Sequence, residues 1–260
     1  MTTKKNKIVT IIKNIDTYLF LGLISLIRRK LLKLISVKRV NKNNFFYQTH
    51  YNNRNNQLNL LCDKYGSDKG EVSSKLNPYP WPSHNYTDFY SLVFGLRRNE
   101  IKTIVECGIG TNNPALKSSM GVEGKPGASL RMWREYFPNA QVYGADIDKR
   151  ILFEEERIKT FYVDQTNPES IKYMWDEIKK ANFDVIIDDG LHTSKAAITL
   201  FENSFKKLKP NGIYIIEDVK IEDSDQILKY FDNDKYNTQL ISIKCPYRKR
   251  NFLLMLIRNK

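Results

Sequence analysis

Two short apolar runs that end in acids constrain this chain more than any other feature. Phe183-Asp184-Val185-Ile186-Ile187-Asp188-Asp189-Gly190-Leu191-His192 and Leu208-Lys209-Pro210-Asn211-Gly212-Ile213-Tyr214-Ile215-Ile216-Glu217-Asp218 each read as a strand covered on both faces, the pattern of a parallel sheet. In open α/β sheets, ligands bind beyond the carboxyl ends of the strands. Two neighbouring strands of this kind would bring four carboxylates, Asp188, Asp189, Glu217 and Asp218, to one edge together with His192. Capping of the following helices would account for one or two of these acids. It leaves the rest, and the histidine, without a role.

Strands and helices alternate on either side of these runs. Strands are expected at Thr103–Cys107, 140–147, 159–163, Phe183–Asp188 and 213–217, and helices at 128–137, 168–180, 193–208 and 223–231. That alternation predicts an α/β fold with a mostly parallel sheet. Two last strands, 237–244 and 251–258, are separated by only Cys245-Pro246-Tyr247-Arg248-Lys249-Arg250. No crossover helix fits there, so they should form an antiparallel hairpin. Ahead of the first strand, residues 60–70 read as a short helix entering a glycine-punctuated loop, and residues 83–90 open another helix. Asn77-Pro78-Tyr79-Pro80-Trp81-Pro82 between them reads equally as a lid over a pocket and as a surface loop.

With 260 residues and 41% hydrophobic content, the chain has room for one domain of about 200 residues and an appendage. The charge is uneven: residues 1–40 carry ten Lys or Arg against Asp16 alone, a local +9 out of a total of +13. Basicity therefore belongs to this segment, which argues against a nucleic-acid-binding core. The longest uncharged stretch in it, 17–27, is too short to cross a bilayer, which takes about 20 residues. A helix lying on a membrane surface fits the pattern, and so does a helix packed on the protein. Residues 41–59, with eight Asn, read as a linker, leaving 60–260 as the main domain. Cys62, Cys107 and Cys245 suggest neither a disulfide framework nor a thiolate metal site, which suits the cytoplasm.

Three further motifs end strands. Glu106-Cys107-Gly108-Ile109-Gly110-Thr111-Asn112 lets a ligand approach the backbone, but lacks the third glycine of a dinucleotide fingerprint and is followed by an insertion. Asp146, about 40 residues on, is placed to accept the hydroxyl protons of a ribose. Its neighbour Asp148 reads as a helix cap, and Asp164 either as an adenine contact or as a cap.

Taken together with Leu208-Lys209-Pro210-Asn211-Gly212 and the final hairpin, these motifs resemble the class I S-adenosylmethionine-dependent methyltransferases, with a Rossmann-like sheet. Tyr65-Gly66-Ser67-Asp68-Lys69-Gly70, Ser129-Leu130-Arg131-Met132-Trp133, Asp188-Asp189-Gly190-Leu191-His192 and Ile216-Glu217-Asp218 are similar, more narrowly, to the metal-dependent macrolide and rhamnosyl sugar O-methyltransferases. The resemblance implies S-adenosylmethionine held by Glu106, Gly108, Gly110, Ser129, Asp146, Asp164, Gln165 and Asp188. It also implies Mg²⁺ on Asp189, Glu217 and Asp218, and His192 as general base. Leu191, where a small polar residue is usual, and Asn112, in place of a motif glycine, depart from the pattern. The implied acceptor is a sugar hydroxyl, on a bacterial cell-surface glycan or its lipid-linked precursor at the inner membrane's cytoplasmic face, or on a macrolide-type small molecule. No nucleic-acid partner is expected, and a homo-oligomer is left open. A non-enzymatic adenosine-binding module would leave the acids and His192 idle. An iron oxygenase would need two histidines with a carboxylate, and no such set is available, the chain having only His50, His84 and His192.

Overall fold

The structure is a computed structural model that describes residues 45–48, 56–70, 79, 81, 83–116, 118–231, 235–243 and 252–260. The chain divides into two compact units, Met1–Phe45 and Phe46–Lys260. The basic segment expected to lie on a membrane, residues 1–40, is outside the described residues. No helix among the described residues is long and apolar enough to cross a membrane.

The strands are β1 (Phe45–Gln48), β2 (Thr103–Cys107), β3 (Gln141–Asp146), β4 (Glu154–Glu155), β5 (Ile158–Tyr162), β6 (Phe183–Asp188), β7 (Leu208–Ile216), β8 (Tyr236–Ile243) and β9 (Phe252–Asn259). The helices are α1 (Gln57–Tyr65), α2 (Tyr86–Phe94), α3 (Ala128–Tyr136), α4 (Pro168–Ile178), α5 (Ser194–Ser204) and α6 (Ile221–Phe231). In one sheet the order is β1-β8-β9-β7-β6-β2-β3-β5-β4. β2 pairs in parallel with both β3 and β6, and the parallel set is completed by β5 beside β3 and β7 beside β6. The chain therefore builds outward from β2 in one direction and returns to its other side, which makes the end of β2 the switch point where a crevice opens. The expected hairpin is present: β8 and β9 pair antiparallel over their full length, and β9 also runs antiparallel to β7.

The expected bounds of β2 and β6 are those observed, since every residue of both strands is buried and each run is flanked by residues that break it. β7 starts five residues earlier than expected, because Leu208-Lys209-Pro210-Asn211-Gly212 stays extended beside β6 through a register shift. Two regular elements fall within the stretch read as a linker: β1, and the start of α1, where the Asn56 side chain accepts the Leu58 and Asn59 amides. The helix after β6 is capped by Thr193, whose hydroxyl accepts the Ala196 amide, so neither Asp188 nor Asp189 is used as its cap. Asp148 does cap the 3₁₀ turn Lys149–Ile151, holding Arg150 by backbone and side chain.

Leu58, Tyr90, Trp133, Ile104, Val142, Val185 and Ile213 belong to one buried cluster that packs α1, α2 and α3 on the sheet. Each large side chain buried there contributes roughly 1.5–3 kcal/mol. Gly144 in β3 lets α3 lie close, because a Cβ at that position would come 2.4 Å from Leu130 Cδ1 and 3.0 Å from Ile109 Cγ2. Leu130 is fully buried and cannot give way. Gly144→Val should therefore destabilise the fold by about 2 kcal/mol through overpacking. Urea unfolding with an unchanged m-value would measure this.

Candidate active site

A cleft of about 720 Å³ opens beyond the carboxyl ends of β2, β3, β6 and β7. Gly108, Gly110, Ser129, Asp146, Asp164, Gln165, Asp189, His192 and Asp218 line it. Glu106, Asp188 and Glu217 do not, although the sequence grouped them with these residues.

Alternation of side chains along the strand turns Asp188 away, and buried partners take up the other two. Glu106 shares a face of β2 with Ile104, and points at α3, where Ser129 Oγ (2.8 Å) and Trp133 Nε1 (2.6 Å) donate to its two oxygens. Only 1% of Glu106 is exposed. Asp188, paired in register with Cys107, lies on the opposite face with Ile186, and is 2% exposed. Gln165 Nε2 donates to its Oδ1 (2.6 Å), and Leu191 N donates to Gln165 Oε1 (2.8 Å). Asp188 and Gln165 thus brace the loop after β6 from behind. Burial pushes the Asp188 carboxyl up to about 6, and its Oδ2 has no hydrogen-bond partner.

Cleft and backbone meet most closely at Gly108, where φ is +87° and a Cβ would lie 2.1 Å from the Asp189 carbonyl oxygen. Only glycine lets the turns that follow β2 and β6 cross this tightly. The insertion after the motif does not carry the next helix away. Gly127 N donates to Ile109 O (2.8 Å), which brings the start of α3, and with it Ser129, back beside the glycines. Across the cleft the Ile109 and Asp148 amides donate to the two oxygens of Asp146 (3.0 and 2.9 Å), and burial holds its carboxyl above the usual range. Asp164 accepts the Thr166 amide and hydroxyl in a tight turn at the cleft wall.

At the other end of the cleft, Asp189, His192 and Asp218 each offer a ligand atom, all within 4.8 Å of one another. His192 (φ 54°) and Asp218 (φ 50°) both adopt left-handed backbone, an uncommon conformation that turns each side chain off its strand end. Tyr86 donates to Asp218 Oδ1 (2.5 Å), and Asp218 Oδ2 has His192 Nε2 at 3.9 Å and His84 Nε2 at 4.0 Å. Burial raises the Asp218 carboxyl, but His84, His192 and the Tyr86 hydroxyl outweigh it and hold it below the usual range. Two histidines beside one carboxylate is an arrangement the sequence did not reveal. His84 arrives from the segment before α2.

Glu217 is engaged elsewhere: Tyr90 donates to Oε1 and Lys69 Nζ to Oε2 (2.5 Å). Lys69, 1% exposed, also donates to Asp189 Oδ2 (2.6 Å) and lies 3.3 Å from Glu106 Oε1. Burial works against its charge, yet Asp189, Glu106 and Glu217 together keep it protonated far above the usual lysine range. Sequence reasoning gave Lys69 no role. The available signal was the number of acids gathered at one sheet edge, which demands a buried cation, and Lys69 stands between Gly66 and Gly70 in the loop nearest to them. Tyr79 and Trp81, from the segment read equally as a lid and as a surface loop, stack at 5.4 Å and line the cleft, and Trp81 Nε1 donates to Asp68 (2.8 Å).

Because folding raises the Asp188 pKa, the folded state binds more protons than the unfolded state between about pH 4 and 6. Stability drawn from this residue is therefore lost as pH rises through that window. In chelator, Asp188→Asn should gain on wild type by up to about 3 kcal/mol between pH 4 and pH 7.5. Urea unfolding at the two pH values measures the difference, and an equal gap at both would contradict it.

No family model matches the chain. It is 35% identical over 161 residues to the 8-demethyl-8-alpha-L-rhamnosyl tetracenomycin-C 2'-O-methyltransferase of Streptomyces olivaceus, covering 62% of this chain and 37% of that protein. With the demethylmacrocin O-methyltransferase of Streptomyces fradiae it shares 33% identity over 159 residues, 61% of this chain and 38% of the other. The chain thus spans little more than a third of the length of these relatives. Among solved structures it matches the MycE methyltransferase of the mycinamycin pathway, in complex with Mg and SAH, with a TM-score of 0.54 over 78% of this chain and 55% of that one, at 23% identity. At that identity the likeness bears on the fold. The chain has the Rossmann-like class I methyltransferase fold and, over about three fifths of its length, is similar in sequence to these two O-methyltransferases.

Proposed function

We propose that this protein transfers the methyl group of S-adenosylmethionine to a sugar hydroxyl, with Mg²⁺ as second cofactor. The observation that carries the reading is the meeting of Asp189, His192 and Asp218 at one end of a cleft whose other end is the Gly108 crossing and Asp146. The sequence relationship to sugar O-methyltransferases supports it.

The residues fit both groups. A volume of about 720 Å³ suits an adenosyl cofactor with an acceptor beside it. Carboxylates dominate the donor set at Asp189 and Asp218, which favours a hard divalent cation, so His192 is left to act as base. Glu217, behind Lys69, would join the metal only by sharing its Oε2. When bound, Mg²⁺ supplies Lewis acidity that lowers the pKa of a hydroxyl. Asp146, with its oxygens fixed by two amides, accepts the ribose hydroxyl protons, while Gly108 and Gly110 admit the cofactor to the backbone. His192 takes the proton from the acceptor hydroxyl, and Asp218 beside it stabilises the imidazolium that forms. As the O–H bond gives its proton to His192, the oxygen forms the new O–CH₃ bond and the S–CH₃ bond breaks, leaving a methyl ether and S-adenosylhomocysteine. Alignment supplies the rest of the acceleration.

For the acceptor we propose a cell-surface glycan or its lipid-linked precursor at the cytoplasmic side of the inner membrane. The support is the +9 charge of residues 1–40, which suits an anionic surface. The relatives' names favour a second reading, a natural-product glycoside, for which that charge has no use.

His192→Ala should lower methyl transfer to a rhamnosyl or other deoxysugar acceptor by about 10²–10⁴-fold while S-adenosylhomocysteine affinity is unchanged. Calorimetry with S-adenosylhomocysteine and labelled methyl transfer measure the two effects. A chain that binds no S-adenosylhomocysteine would overturn the reading. Independently, deletion of residues 1–40 should reduce binding to phosphatidylserine-containing vesicles by about tenfold or more. Equal sedimentation of both proteins would favour the natural-product acceptor.

A further inference from the structure

We propose that Lys69 is a resident counter-cation: it keeps the acid cluster assembled without a metal and, by occupying Asp189 and Glu217, holds down the affinity of the site for a divalent cation. The proposal deepens the reading of Asp189 and Asp218 as metal ligands and rests on it.

Glu106, Asp189, Glu217 and Asp218 bring four carboxyl groups together, and Glu106 and Glu217 are each 1% exposed. Water cannot reach those two, so a cation must be built in or the cluster would not persist. Lys69 Nζ contacts three of the four, at 2.5 Å from Glu217, 2.6 Å from Asp189 and 3.3 Å from Glu106. Its backbone is anchored from the start of α2, where Thr87 N donates to Lys69 O (3.2 Å) and His84 N to Asp68 O (2.8 Å). Ser129 and Trp133 fix Glu106 from the far side. The ammonium is therefore held in place by elements on both sides. One ammonium does not match four carboxyl groups, so the site still attracts a divalent cation. Lys69 also occupies Asp189 Oδ2, an oxygen such a cation would otherwise use. One lysine thus touches the acid at the end of β2 and the acids after β6 and β7, joining the cofactor end of the cleft to the metal end.

A lysine that merely supports packing and one that acts as counter-cation predict opposite changes in metal affinity. Mn²⁺ binding followed by electron paramagnetic resonance, with thermal unfolding in chelator, separates them on the full chain. In Lys69→Met the metal-free Tm should fall by about 10 °C, since a buried ion cluster loses its cation. Its Mn²⁺ Kd should tighten about tenfold, because one competing positive charge has gone. Lys69→Arg should keep the wild-type affinity. Unchanged or weaker Mn²⁺ binding by a folded Lys69→Met would overturn the proposal. Should Lys69→Met not fold in chelator, refolding in millimolar Mn²⁺ decides: recovery of the native circular dichroism supports the counter-cation, and failure there while Lys69→Arg folds overturns it. Absence of Mn²⁺ binding in the wild type would instead remove the metal reading, a failure visible before any substitution is made. Neither readout involves methyl transfer.

Discussion

The carboxyl edge of this sheet depends on a charge that the sheet does not supply. β2, β6 and β7 end in acids, and two of those acids, Glu106 and Glu217, are buried in the core. An isolated carboxylate in that position would neutralise or pull the edge apart. The positive charge comes from outside the α/β repeat, from the loop between α1 and α2, which places Lys69 among Glu106, Asp189 and Glu217. Truncation of either partner in a buried ion pair is strongly destabilising even where the pair itself adds little to stability. The loop and the sheet edge are for that reason one structural unit.

The alternation of strands then divides the acids into two groups with different work. Adjacent residues face opposite ways, so Asp188 turns to the side of Ile186 and Tyr214, and Asp189, one position on, reaches Lys69 and the cleft. Glu217 and Asp218 divide for another reason: Ile216 pairs with Asp188, so Glu217 falls on the face of Asp189 and is enclosed by Tyr90 and Lys69, while Asp218 is turned by a left-handed backbone toward His192 and His84. Each strand end thus gives one acid to the frame and one to the cleft. Unfavourable backbone at His192 and Asp218, of order 1–3 kcal/mol each, is maintained only where surrounding contacts fix it, and the Tyr86 hydroxyl and the Gly108 crossing provide such contacts here.

The parallel sheet was legible in the sequence because Thr103–Cys107 and Phe183–Asp188 are short, rich in β-branched residues, and alternate with longer helical stretches. β4, two residues long, has no periodicity to read, and the extension of β7 through Pro210 and Gly212 runs against local preference; pairing with β6 overrides it. At the site, spacing alone brought Asp189, His192 and Asp218 to one edge. It could not say which of two consecutive acids faces the cleft, since a shift of one residue at the end of a strand exchanges them. Lys69 and His84 were out of reach for another reason: they precede the repeat, and their place is set by tertiary contacts more than 100 residues away in sequence.

This division of labour locates the source of selectivity in the proposed reaction. The glycine crossing, Asp146 and Asp164 belong to β2, β3 and the turn after β5, and form the half of the cleft that any adenosyl cofactor would require. The half beside His192 is walled by Asp68, Tyr79, Trp81 and His84, all from the segment between α1 and α2. An acceptor would therefore meet a wall that comes from the same segment that supplies the buried cation. Changes there that alter acceptor fit must leave the Lys69 backbone anchored to α2, or the acids at the edge lose their counter-charge. The freedom to change specificity is thus concentrated in the side chains at 79 and 81, while His84 stands beside Asp218 and Gly66, Lys69 and Gly70 are bound to the stability of the sheet edge.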